Sequence, residues 1–326
     1  MRPELLLPIL VGGAIAAGGI LQGWKWRHAS AEREAELTDL RERVELLERE
    51  NKSLRSLAQG GGEVAIPREL VEFAALQLDL EFTASPVVHR IAPEELRDRI
   101  TASIESGFPP NGLADREMAW TLMGLITADD RYAPQLAITR SLNARSWFDP
   151  QTGEAWVTDQ FDPASIPDQA ALLRAITRIL LAQHYPAPAG HPGDDPAHAR
   201  TALHHGVALA VENRFMARQA LSIGFTGPQD DGSGARKLLE SLPPLVRGVA
   251  TFPAQFGLLH AQQLIENQTL AESLHALPQT TAAFEPSIGL ETLTTPALPE
   301  REAQPVLEES TGFLGFRAWL TTIDPG

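Results

Sequence analysis

The stretch from Ala171 to Ala208 constrains this chain most. It reads as a helix, Ala171 to Tyr185, then a Pro/Gly/Asp loop from Pro186 to Pro196, then a second helix carrying Ala202-Leu203-His204-His205-Gly206-Val207-Ala208. Arg174 and Arg178 stand four residues apart in the first helix, so they share a face. An exposed Arg on an amphipathic helix is usually solvated and does nothing in particular. An Arg in a cleft instead finds a carboxylate or binds an anion. The carboxylate the spacing offers first is Glu212, two helical turns after His205 and on the same face, with Asp159 or Asp162 as seconds. A His beside guanidinium groups loses basicity, so His205 is expected to be neutral.

The flanks of this helix pair resemble the zinc site of a bacterial metallopeptidase family of the zincin type. Its members carry a helix like LVHELTHALQDQHF and, further on, ALVEGDA. Here the matching positions are Leu172-Leu173, Thr177, Gln183-His184-Tyr185, Ala202-Leu203 and Gly206. Other stretches resemble the family in the same order. Trp147 to Val157 matches a "YDPETGRLYV" hairpin, and Phe252-Pro253-Ala254-Gln255-Phe256-Gly257 an FPY-x-x-G helix start. Leu277 to Pro286 matches PPTTEQILHP, with Glu285 where the His stands, and Leu314 to Leu320 matches a final LGELGLRLWL strand or helix. The likeness covers roughly residues 67 to 320 and implies a zincin-like fold.

The chemistry departs from the family. In the zincins, two His at i and i+4 share one zinc, and the Glu beside the first acts as general base on a zinc-bound water. Those positions hold Arg174, Ala175 and Arg178 here, and the third ligand, a Glu, is His205. Arg is no metal ligand at working pH, and Ala175 has nothing to take a proton. The resemblance therefore implies a peptidase fold with its active site dismantled: no catalytic residue, no metal and no cofactor.

His184, His191, His198, His204 and His205 cluster in the sequence. A rebuilt metal site on His204 and His205 is the alternative reading, a hydrolase rather than a binding module. The spacing argues against it, because helical His pairs bind metal at i, i+4 and none of these pairs has that spacing. His184 falls at a non-ligand position of the family motif, which favours a structural role. His184, His204 and Glu212 are the candidates for binding in the cleft.

The amino end has a different character. Leu5 to Leu21 carries no charge and is followed by Trp24, Lys25, Trp26 and Arg27, just enough to span a bilayer. An A-x-A cleavage site at Ala14-Ile15-Ala16 is the rival, but the apolar run continues past it. Lys and Arg counting favours a cytoplasmic carboxyl-terminal side, whereas the mostly exported family favours the periplasm, which is the expectation adopted. Residues 30–58 then repeat in heptads: Leu37, Val44 and Asn51 at a, Leu40, Leu47 and Leu54 at d. Val at a with Leu at d suits two parallel strands, and Asn51 fixes register. Glu36 with Arg41, Arg43 with Glu48, and Glu50 with Arg55 are all attractive between g and e positions of a parallel homodimer. A coil this short is marginal alone, and a membrane anchor would concentrate it.

The expected division is a membrane anchor over 1–27, a parallel coiled coil over 28–58, a Gly-rich hinge over 59–66 and a zincin-like domain over 67–326. That domain is expected to be α+β and predominantly helical, with helices near 67–80, 92–106, 115–128, 132–142, 166–184, 197–221 and 235–242, and a hairpin over 147–157. The chain of 326 residues, 43% hydrophobic, can bury a full core. Its net charge of −15, with no basic patch interleaved with aromatics, argues against nucleic acid as a partner. With no Cys, disulfides, thiol catalysis and Cys-zinc sites are excluded. The expected function is a membrane-tethered binding or scaffolding module of the bacterial envelope. A protein or peptide ligand would occupy the former active-site cleft.

Overall fold

A computed structural model describes residues 62–142, 144–186, 193–223, 233–285 and 312–323. The expected anchor and coiled coil, and the His191 position, lie outside these residues. Among the described residues, no helix is long and apolar enough to cross a membrane.

Helix α1 (Arg68–Leu78) starts behind Pro67 and buries Leu70 and Ala74, one turn apart. It stops at Asp79, in the left-handed region at φ 53°. Strand β1 (Val88–Ile91) follows. In α2 (Pro93–Ser106), Pro93 sits where a missing N–H goes unnoticed, and Glu94 and Glu95 meet the positive end of the helix dipole. Its Leu96, Ile100 and Ile104 recur every turn and are all buried. Helix α3 (Gly112–Leu122) ends well short of residue 128. Gly124, at φ 72°, turns the chain there. The Leu125 N–H bonds the Trp120 carbonyl at 2.9 Å and the Gly124 N–H the Thr121 carbonyl at 3.0 Å, the double closure of a Schellman cap. Helix α4 (Tyr132–Ser141) comes next.

Strands β2 (Ser146–Phe148) and β3 (Ala155–Thr158) form the expected hairpin. Asp149 builds its turn: its Oδ1 accepts from the Gln151 N–H at 2.9 Å, and Gly153 takes φ 75°. The sheet has the order β1-β3-β2, with β1 parallel to β3. Side chains alternate between its faces. Val88, Phe148, Ala155 and Val157 join one apolar cluster, and Ile91 and Trp156 the other, which also takes Leu96 and Ile100 of α2. The expected hinge ends earlier than residue 66. The Val64 N–H bonds the Val88 carbonyl at 2.7 Å, and Glu63 pairs antiparallel with His89, so residues 62–64 already lie along β1.

Helices α5 (Ile166–His184) and α6 (Asp194–Ile223) are the long pair. The inner face of α5 supplies Leu172, Leu173, Ile176 and Leu180 to the first cluster. The start of α6 lies before the expected 197, because Pro196 falls in the first turn, where its missing N–H has no helical partner to lose. Two acids anchor this end. Asp194 Oδ1 accepts from Arg116 Nε at 2.7 Å in a buried pair. Asp195 Oδ1 accepts from both the N–H and the hydroxyl of Thr281, at 2.9 and 2.6 Å.

The remaining helices are α7 (Ser233–Ser241), α8 (Pro244–Phe252), α9 (Leu258–Glu266), α10 (Leu270–His275) and α11 (Gly312–Ile323). The Phe252-Pro253 stretch does not start a helix. It lies inside one continuous run, where a π-helical turn, Pro253–Gly257, joins α8 to α9 and accommodates the N–H that Pro253 lacks. Gly257 in that turn meets Gly206 of α6 backbone to backbone. A Cβ on Gly206 would overlap the Gly257 carbonyl, and one on Gly257 would overlap the Ala202 carbonyl. The segment around Leu314 to Leu320 is a helix rather than a strand. The fold is α+β and predominantly helical.

Candidate functional site

Helices α5 and α6 lie side by side, so Arg174 and Arg178 of α5 reach His205 and Glu212 of α6. Arg174 Nη1 donates to Glu212 Oε2 at 3.0 Å, in a pair whose side chains are 25% and 16% exposed. Burial raises the Glu212 carboxyl above its ordinary range, with Arg174 opposing. This is the partner that the helix spacing suggested. Asp159 and Asp162 do not take the role: Asp162 Oδ1 accepts from the Ala164 N–H, and Asp159 offers its backbone carbonyl to Arg90.

Arg178 has no carboxylate partner among the described residues. Its Nη1 donates to His205 Nδ1 at 3.3 Å, and its guanidinium lies 4.9 Å from the centre of the Phe148 ring. Burial, and the nearby charges of Arg140, Arg174 and Arg200, push it down to about 9, so it remains a cation at neutral pH. Burial, with Arg178, Arg174 and Arg140, holds His205 well below the ordinary imidazole value. Its neutral ring therefore accepts on Nδ1 and carries its proton on Nε2. Ala175 is 2% exposed and apolar, with nothing to take or give a proton.

His204 and His205 are neighbours on α6 but serve different spaces. His204 lines a hollow of ≈ 200 Å³ with Arg140, Arg178 and Arg200. His205 lines an adjoining one of ≈ 540 Å³ with Arg140, Arg174 and Arg178. Burial, then Arg178 and Arg200, press His204 down to about 3. His184 is outside both hollows. Its Nε2 meets the Glu81 carbonyl at 2.7 Å, while Gln183 Oε1 accepts from the Thr83 N–H at 2.9 Å and Gln183 Nε2 donates to the Ala84 carbonyl at 2.9 Å. This pair ties the segment after α1 to the end of α5, a structural role.

A metal ion does not suit these residues. Among the described residues, no three His, Asp or Glu side chains converge on a point. The Nδ1 of His205 already takes a guanidinium proton, and the nearest groups to a would-be ion are cations. What the cleft offers is positive charge, hydrogen-bond donors and an apolar wall. Arg140 and Arg200 also belong to it. Arg140 stands in the last turn of α4, where a basic side chain is usually explained by the helix dipole, so the sequence alone gave no reason to single it out. Comparison with family models, with curated proteins and with solved structures returns no match for this chain.

Proposed function

We propose that this protein is a zincin-like pseudoenzyme: a module that binds in its cleft rather than cutting. The observation that carries the reading is at Arg174, Ala175, Arg178 and His205, where the motif resemblance puts two zinc ligands, the general base and the third ligand. Arg174 is spent on Glu212, Ala175 is a buried methyl on the wall of the larger hollow, and Arg178 donates to His205. Neither a metal-bound water nor a base to activate one has a place in that arrangement. The neighbouring hairpin, β2–β3, edges the cleft through Phe148 and Pro150, as a substrate-aligning edge would.

In this reading the apolar Leu5–Leu21 segment tethers the protein to a bacterial membrane. The heptads of 30–58 pair it with a second copy in parallel, and the globular part faces the periplasm as a binding or scaffolding element. The decisive experiment is peptide hydrolysis by the purified full chain on casein and on mixed peptide libraries, with added zinc and with a chelator. No turnover under either condition is the expected result. Turnover that a chelator abolishes would replace the pseudoenzyme with a metallopeptidase built on His204 and His205. Sedimentation of the full chain against a chain beginning at Val64 tests the coil, and equal masses per assembly would remove it.

A further inference from the structure

Three guanidinium groups face the smaller hollow without a carboxylate between them. Arg140 has no hydrogen-bond or ion-pair partner among the described residues. Arg178 has an orphaned, buried Nε, and Arg200 an orphaned, buried Nη1. The other end of Arg200 is fixed: its Nη2 donates to the Tyr185 carbonyl at 2.6 Å. Beside them, His204 is 6% exposed, and its Nε2 has no partner either. Folded proteins leave few buried polar groups unpaired, so three on the wall of one hollow call for an explanation.

Charge balance makes the absence more telling. The chain has 42 Asp and Glu against 27 Lys and Arg, so carboxylates are plentiful. Elsewhere in the fold they are used: Asp194 holds Arg116, Asp168 holds Arg145 and Glu212 holds Arg174. Asp149, beside the hollow, is turned to its own hairpin, where its Oδ1 accepts from the Ser103 hydroxyl at 2.5 Å and from the Gln151 N–H. No Asp or Glu lines the hollow. The cations come from three elements: Arg140 from α4, Arg178 from α5, Arg200 from α6. Ile104, Phe108, Leu136, Phe148 and Ala182 give the wall an apolar part, and Ser103, Gln151, His198 and Thr201 add polar groups.

We infer that this hollow is a binding site for an oxyanion, a phosphate or a carboxylate, carried on a small apolar or aromatic body. Each guanidinium offers a planar fork that matches either group. The oxyanion's several lone pairs satisfy Arg140, the free edge of Arg178, Arg200 Nη1 and the N–H of His204 in its Nε2-protonated form. The body then lies against Phe108, Leu136 and Phe148. Beyond Arg140 and Arg178 the larger hollow continues, which gives a longer ligand somewhere to extend. This site deepens the reading of the cleft as a place for binding, and it names what is bound.

The test is isothermal titration of the full chain with phenyl phosphate, phenylacetate and inorganic phosphate, in a buffer free of oxyanions. The key variant is Arg140→Gln. Because Arg140 has no hydrogen-bond or ion-pair partner among the described residues, its removal should leave thermal stability unchanged or raised, yet it should weaken binding about tenfold or more, the loss expected for one charge-assisted donor. Tight phenyl phosphate binding identifies a phosphate ligand, and tight phenylacetate binding a carboxylate. Binding of inorganic phosphate as tight as phenyl phosphate assigns the affinity to the oxyanion alone and overturns the apolar half of the inference. No saturable heat from any probe at millimolar concentration overturns all of it, as does binding that Arg140→Gln leaves intact. Peptidase activity would sink the pseudoenzyme reading without changing any of these titrations, so the two failures are separable.

Discussion

Replacing Arg178 with methionine should make the protein more stable, and the size of the gain follows from the surroundings of this side chain. Its guanidinium is desolvated, faces other guanidiniums and has a neutral His205 instead of a carboxylate for company. The fall from the ordinary guanidinium range to about 9 corresponds to roughly 5 kcal/mol of penalty on the charged form, at about 1.4 kcal/mol per unit. Solvent reaching the partly open cleft reduces that figure. The variant also loses the stacking on Phe148, worth about 1 kcal/mol. A methionine keeps most of the volume and no charge, and swaps of buried ions for apolar groups of like size often gain about 1–4 kcal/mol. The net expectation is a gain of about 1–3 kcal/mol, or roughly 3–10 °C in melting temperature for a domain of this size. Because the folded-state value lies below the unfolded one, the penalty is complete below about pH 9 and is relieved as pH rises from there towards the ordinary guanidinium range. Denaturant unfolding of wild type and Arg178→Met at neutral pH and near pH 10 reads both effects. The advantage of the variant should shrink at the higher pH. A variant less stable than wild type by more than about 1 kcal/mol would refute the reasoning, because it would make Arg178 a supporting member of the fold rather than a group held at a cost for binding.

Further outcomes follow from the same contacts. Gly206→Ala drives a methyl into the Gly257 carbonyl, with backbone on both sides and no side chain to give way. It should destabilise by about 3 kcal/mol or more, read by thermal unfolding, and a loss below about 0.5 kcal/mol would mean the helices do not touch there. Glu212→Ala strands Arg174 in a half-buried setting, so a loss of about 1–3 kcal/mol is expected, between the values for exposed and buried pairs. A change within about 0.3 kcal/mol in urea titration would make that pair incidental. His204 titrates near 3 in the folded chain against 6.5 ordinarily, so the unfolded state takes up a proton between those values and the folded state does not. Stability should therefore fall as pH drops through this window, by about 2 kcal/mol at pH 5 from this group alone. The His204→Gln variant should lose that much less between pH 7 and pH 5, and equal slopes for the two proteins would count against a buried neutral His204.

The parts of the fold that were legible in the sequence are those set by local rules. Pro93 followed by Glu94 and Glu95 marks the start of a helix, and apolar residues at one-turn spacing mark its inner face. Trp147 to Val157 announces a hairpin through the Pro150 to Gly153 turn. Arg174 with Glu212 was legible because both stand on long helices whose facing surfaces the spacing defines. What the sequence hid depends on contacts between distant segments. Val88–Ile91 is too short to show alternation, and it becomes a strand only by pairing with Ala155–Thr158. Pro253 looked like a helix start, but a π-helical turn lets it sit in the middle of one. Gly124 was the signal that should have ended α3 at the right place. The cationic hollow was hidden most thoroughly. Arg140, Arg178 and Arg200 lie on separate helices, and what distinguishes them is the carboxylates they lack, which only the packed structure reveals.

The central proposal is that Arg174, Ala175, Arg178 and His205, which resemble the ligand and base positions of a zinc site, form a cationic cleft that excludes the metal. The most direct measurement is zinc stoichiometry in the full chain, by plasma mass spectrometry after equilibration with excess zinc and exhaustive dialysis. Guanidinium groups at Arg174 and Arg178, and the engagement of His205 Nδ1 by Arg178, predict far less than one zinc per chain, with no change in melting temperature when a chelator is added. One zinc retained per chain, with a melting temperature that falls on chelation, would contradict the account.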